Sequence, residues 1–134
     1  MEQNDVVIRF IGKDGIDFKN LEDNLPFSFA KYEKGSLIRR RHIVENDVAV
    51  LRVQFKKDNV EDKIRNLLNL LNPHKEYLKE LSKKCNIILR IYLESNMAQM
   101  YLYLPSELMV EMSKLSLGLE ISVFSEGLVN SIEK

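Results

Sequence analysis

Five stretches of this chain place an apolar side chain at every second position. They are Val6, Ile8 and Phe10; Ala49, Leu51, Val53 and Phe55; Ile87, Leu89, Ile91 and Leu93; Ala98, Met100, Leu102 and Leu104; and Leu119, Ile121 and Val123. Successive side chains of a strand point to opposite faces, so each stretch has one apolar face. Arg9, Arg52, Gln54, Arg90 and Tyr92 fall on the other. A sheet of such strands buries one side under helices and leaves its second side open. Helices on both sides would require strands that are apolar throughout.

A different period marks the helices. Val60, Ile64, Leu67, Leu68 and Leu71 lie on one helical stripe, with Asp58 or Asn59 placed to cap it. Asn72-Pro73 ends that helix and starts another, whose inner face is Tyr77, Leu78 and Leu81. Gly12, Asp14 and Gly15 mark a turn. Asp17 then caps a short helix carrying Phe18, Leu21 and Leu25, closed by Pro26. Pro105-Ser106 opens a helix with Leu108, Met112 and Leu115. Leu37 to Val44 reads as a strand, and Asn46-Asp47 as the hairpin turn that leads into Val48–Phe55. A tight turn at Ser95-Asn96 is expected to send the chain back along a strand in which Ala98, Met100, Leu102 and Leu104 share a face.

The order β-α-β-β-α-α-β-β-α-β therefore predicts an α+β fold. We expect a single mostly antiparallel sheet of about five or six strands, with helices packed on one face. One domain spans residues 1–134, with 126–134 a frayed tail or short helix. With 20 basic and 20 acidic side chains the net charge is zero, which argues against a surface given over wholly to nucleic acid. The apolar content argues against disorder. Cys85 is the single cysteine, so no internal disulfide forms, as suits a reducing compartment. The polar N-terminus and the short apolar runs predict a cytoplasmic protein without a membrane span.

The chain resembles the small bacterial proteins catalogued as domain of unknown function 4279, over roughly Val6 to Phe124. Phe10, Gly12, Asp14, Phe18 and Leu21 carry the resemblance at one end. Lys34-Gly35, Leu67-Leu68, Leu71-Asn72-Pro73, Leu78 and Leu81 carry it in the middle. Pro105-Ser106-Glu107-Leu108 and Leu115-Ser116-Leu117-Gly118-Leu119-Glu120-Ile121 carry it at the other end. Family members often have a tryptophan after the Lys-Gly turn; this chain has none. The resemblance implies a compact α+β domain and brings no activity with it.

Catalytic chemistry finds little support. His42 and His74 lie in different elements, and with one cysteine they do not make a four-ligand metal set. Cys85 has no base nearby in sequence and reads as a half-buried thiol. Gly12-Lys13-Asp14-Gly15 is too short for a phosphate loop. Glu22-Asp23 and Glu61-Asp62 are adjacent on helices, so their carboxylates diverge. We assign no catalytic residue, no metal, no cofactor and no small-molecule ligand.

Two features suit binding. Arg39, Arg40 and Arg41 are consecutive; they suit phosphates, a protein partner, or an exposed edge strand that resists pairing. The open sheet face is expected to carry Arg9, Arg52, Gln54, Arg90, Tyr92, Tyr101 and Tyr103, residue types enriched at interfaces and hot spots. The leading expectation is a non-catalytic protein-binding module, of which an immunity protein neutralising a cognate toxin is one version, and a homodimer another. A nucleic-acid or nucleotide binder using Arg39–Arg41 and the Tyr/Arg face is the alternative, and a small enzyme is third.

Overall fold

The computed structural model describes residues 3–38, 42–52, 59–95 and 102–125. In chain order the elements are β1 (Gln3–Gly12), α1 (Phe18–Asn24), β2 (Phe29–Tyr32), β3 (Leu37–Ile38), β4 (His42–Ile43), β5 (Val48–Arg52), α2 (Val60–Leu71), a 3-10 turn (Asn72–His74), α3 (Lys75–Leu81), β6 (Cys85–Ser95), α4 (Ser106–Lys114) and β7 (Gly118–Ser125). Five strands form one sheet in the order β2-β5-β1-β6-β7, and β3 and β4 form a separate two-stranded ribbon. All neighbours in the main sheet are antiparallel except β6 and β7. The fold is thus α+β with a mostly antiparallel sheet, as the alternation predicts.

Strand periodicity sorts the faces. Val6, Ile8 and Phe10 of β1, Ala49 and Leu51 of β5, and Ile87, Leu89, Ile91 and Leu93 of β6 form one buried cluster. The same cluster holds Leu21 of α1, Ile64, Leu67, Leu68 and Leu71 of α2, Leu78 of α3, and Leu108 and Met112 of α4. All four helices therefore lie on one side of the sheet. Phe29 of β2 closes that core edge-to-face against Phe10, with ring centroids 5.7 Å apart.

Local chemistry sets the starts of α1 and α2. Asp17 accepts a hydrogen bond from the Asn20 amide at 3.1 Å, and Asn59 accepts one from the Asp62 amide at 2.8 Å. Asn72 makes no such cap. Instead a 3-10 turn, with Pro73 near its start, joins α2 to α3. Arg65 of α2 pairs with Glu61 one turn earlier and with Glu107 at the start of α4, tying two helices together at the surface.

Three expectations are corrected. Leu37–Val44 is not one strand paired with the next. It folds back on itself, Leu37 opposite Ile43, while β5 pairs with β1 and β2. The Asn46-Asp47 turn therefore links ribbon to sheet rather than closing a hairpin. Phe29–Tyr32 is an additional strand. Finally, β6 has no returning hairpin partner, because β1 and β7 occupy both its edges. Leu102 and Leu104 instead pack against the core from a segment without strand structure. A parallel neighbour needs a long crossover, which residues 96–117 and α4 supply. Val53, Gln54, Phe55, Asp58, Ala98, Met100 and the tail 126–134 lie outside the described residues.

Leu71 has 0% exposure and sits in the cluster with Leu51, Leu89 and Ile91. Leu71→Ala should cost about 2–5 kcal/mol. Chemical denaturation should show the loss as a lower midpoint at constant slope.

Candidate functional site

The side of the sheet away from the helices is built by the intervening residues. The registers place Val50, Arg9 and Ile88 in one row, Val48, Ile11 and Asn86 in the next, and Arg52, Val7, Arg90 and Glu120 in a third. Asp5, Tyr92 and Ser122 form a fourth, and Glu94 with Phe124 a fifth. Tyr32 of β2 continues the row of Val48. No described helix covers this face.

The face is more apolar than sequence parity suggests. Ile11, Val48, Val50 and Ile88 are half-buried on it, and Val7 is only 1% exposed. Val7 lies between Arg52 and Arg90, whose aliphatic stems can cover it. Arg9 Nη1 and Arg90 Nε both lie 3.0 Å from the same Glu120 carboxylate oxygen. The Arg90 contact is an ion pair without hydrogen-bond geometry, which leaves that buried N–H without an acceptor among the described residues. Arg90 also stands 4.4 Å from the centre of the Tyr92 ring, a cation–π contact that ties the two side chains together. Arg52 pairs with Asp5 at 2.9 Å, but both are well exposed and the pair contributes little.

At the β2 end the face deepens into a groove of about 370 Å³. Its floor is Arg9, Ile11, Val48 and Val50; Tyr32 forms one wall, and Val44, Glu45 and Asn46 form the other. Asp47 holds that second wall in place. Its carboxylate accepts from the Ile16 amide at 2.9 Å and the Lys34 amide at 2.7 Å, and its carbonyl accepts from the Gly12 amide at 2.9 Å. Those two amide hydrogen bonds, first Lys34 and then Ile16, pull the Asp47 carboxyl below its usual range. The turn they gather is tight. A side chain at Gly12 would lie 2.6 Å from the Gly15 carbonyl oxygen, and Gly15 itself has φ of +100°.

Of the residues singled out from sequence, Arg9, Arg52, Arg90 and Tyr92 share the open face. Tyr103 does not. It is 61% exposed in the segment before α4, which joins no sheet among the described residues. Tyr101 and Arg39, Arg40 and Arg41 lie outside the described residues, the arginines between β3 and β4 in sequence. Tyr32, Val44 and Glu120 were not foreseen. Parity within β7 gives a signal for Glu120; Tyr32 and Val44 come from a stretch with no clear period.

Potential chemistry elsewhere is inward-facing. Cys85 is fully rather than half buried, at 2% exposure, and burial pushes its thiol above the usual value despite Lys13 and Lys84. His74 stacks edge-to-face on Phe27 at 5.8 Å. No group of three His, Cys, Asp or Glu suited to a metal occurs among the described residues, and no described helix is long and apolar enough to cross a membrane.

With this geometry in hand, the chain is placed by family. The model described as Domain of unknown function (DUF4279) matches residues 3–125, and the chain belongs to that family. Neither the curated proteins nor the solved structures contain a significant match.

Asp47 gives a test of the groove wall. A carboxyl with a lowered folded value stabilises above its unfolded value and loses that contribution as pH falls through the folded one. Asp47→Asn keeps the shape and removes the charge, and should cost about 1 kcal/mol at neutral pH. Melting curves of both proteins should converge as the pH is taken below 3.8, the ordinary value of this carboxyl.

Proposed function

We propose that the chain is a non-catalytic protein-binding module that docks a protein partner on the open sheet face, in the manner of an immunity protein bound to its toxin. One observation carries this reading: a sheet face free of described helices combines an apolar floor with Arg9, Arg90, Tyr32 and Tyr92 beside a 370 Å³ groove. Aromatic and arginine side chains over apolar ground make up the central part of protein interfaces. The arginines are held rather than free, since Glu120 and Tyr92 fix their heads. Such preorganisation lowers the entropy lost on docking. Arg9, Arg52 and Arg90 stand against Asp5, Glu94 and Glu120, so the face has balanced charge. That balance suits a protein surface better than a polyanion. The immunity version rests on the small size of the domain and on this style of surface.

Nucleic acid is the reading that the same experiment sets against this one. Partners captured from the host, with and without nuclease, supply the ligand for titration against wild type, Tyr32→Ala and Tyr92→Ala. Both tyrosines are more than one-third exposed, so the fold should survive. Each substitution should weaken a protein complex by about 2 kcal/mol, as at a hot spot. Added salt should change affinity little. Loss of the partner on nuclease treatment, with a log–log salt slope of roughly −0.7 per phosphate contacted, would replace this reading with the nucleic-acid one.

A further inference from the structure

The two edges of the five-stranded sheet are built differently. β2 is four residues long and exposed, and its Lys31 pairs with Glu22 of α1 at 2.6 Å. A short edge resists extension by another strand. β7 runs eight residues with no lysine, arginine or proline. Leu119, Ile121, Val123 and Phe124 on it are 43%, 45%, 59% and 49% exposed. The register with β6 sets Leu119, Ile121 and Val123 beside Leu89, Ile91 and Leu93. On the helix side, therefore, the apolar row continues from a buried strand onto an uncovered one. Glu120, the single charge of β7, is held by Arg9 and Arg90 of its own chain. Among the described residues no strand pairs with the outer edge of β7.

We propose that β7 pairs antiparallel with β7 of a second copy across a two-fold axis, joining two five-stranded sheets into one. Closed pairing of this kind removes an exposed edge and is self-limiting. Among the registers that pair nearly the whole strand, it is complementary to itself in one. With Ile121 on the axis, Leu119 faces Val123 of the second copy, and the two Ile121 side chains meet. Glu120 faces Ser122, and Gly118 leaves room for Phe124. Centring on Glu120 would oppose two carboxylates, and centring on Ser122 would set Glu120 against Phe124. A charged partner finds no free charge on β7 to recognise, whereas an apolar strand of the same pattern does find its match. The zero net charge of the chain removes repulsion between copies. β7 lends Glu120, Ser122 and Phe124 to the open face, but the pairing uses its outer backbone edge and its helix-side row, so the two proposals are tested by different substitutions.

Sedimentation velocity over a concentration series tests it. Wild type should convert from monomer to dimer as concentration rises. Ile121→Lys places two like charges on the axis and should raise the dimer dissociation constant at least about tenfold. Circular dichroism of the dilute monomer should not change, because Ile121 is already exposed. Leu119→Lys and Val123→Glu should each weaken the dimer, and both changes in one chain should restore it, since each new lysine then meets a glutamate of the other copy. A wild type that stays monomeric throughout overturns the proposal. So does a dimer that survives Ile121→Lys, or one that the combined Leu119→Lys and Val123→Glu chain does not recover.

Discussion

The burial of one sheet face under four helices is the constraint on which the molecule depends. β1 sits at the centre of the sheet, paired over its whole length with β6 and over five residues with β5. Its Val6, Ile8 and Phe10 share one buried cluster with residues of all four described helices. Because the helices all lie on that side, the second face must meet water or a partner. It can do so only if its side chains suit both. That requirement explains why arginine and tyrosine, with apolar bodies and polar ends, occupy the positions between β1 and β7.

The open face is ordered by one carboxylate. Glu120 on the edge strand reaches two guanidiniums on the inner strands and draws them across the sheet. Both arginines are about three-quarters buried at the side chain, with exposures of 24% and 25%, so these pairs are less screened than the Arg52–Asp5 pair at the rim. The same arrangement leaves β7 without a free charge. One ion-pair network thus orders the open face and leaves the edge strand without a free charge.

The groove depends on a second carboxylate. Asp47 gathers the turn after β1, the turn at Lys34 and the entry to β5 through amide hydrogen bonds. Gly12 and Gly15 let the backbones come close enough for this. Sequence marks these residues as turn formers, but nothing local says that one aspartate serves two turns at once. That fact belongs to the tertiary structure, which brings residues 16, 34 and 47 together.

Much of the fold was legible in the order of residues. Period-two alternation separated buried from open positions in β1, β5 and β6, and the stripe from Val60 to Leu71 gave α2 with its Asn59 cap. The family was legible too, in the order of its turn and helix residues. These features are local, since a strand or helix has its period before it has a partner. What sequence could not decide was pairing. Alternation reads the same for a strand running in either direction, so Leu119–Val123 looked like any final strand until it was found parallel to β6. Ala98–Leu104 alternates as well, yet β1 and β7 fill both edges of β6, and Leu102 and Leu104 turn to the core without joining the sheet. Strand neighbours are chosen by the total apolar surface that the assembled helices and sheet remove from water, a sum over the whole chain that no single segment contains. Parity within the strands thus set Arg9, Arg52, Arg90 and Tyr92 on one face, while the meeting of Arg9 and Arg90 on Glu120 and the placing of Tyr32 beside them were decided by strand pairing.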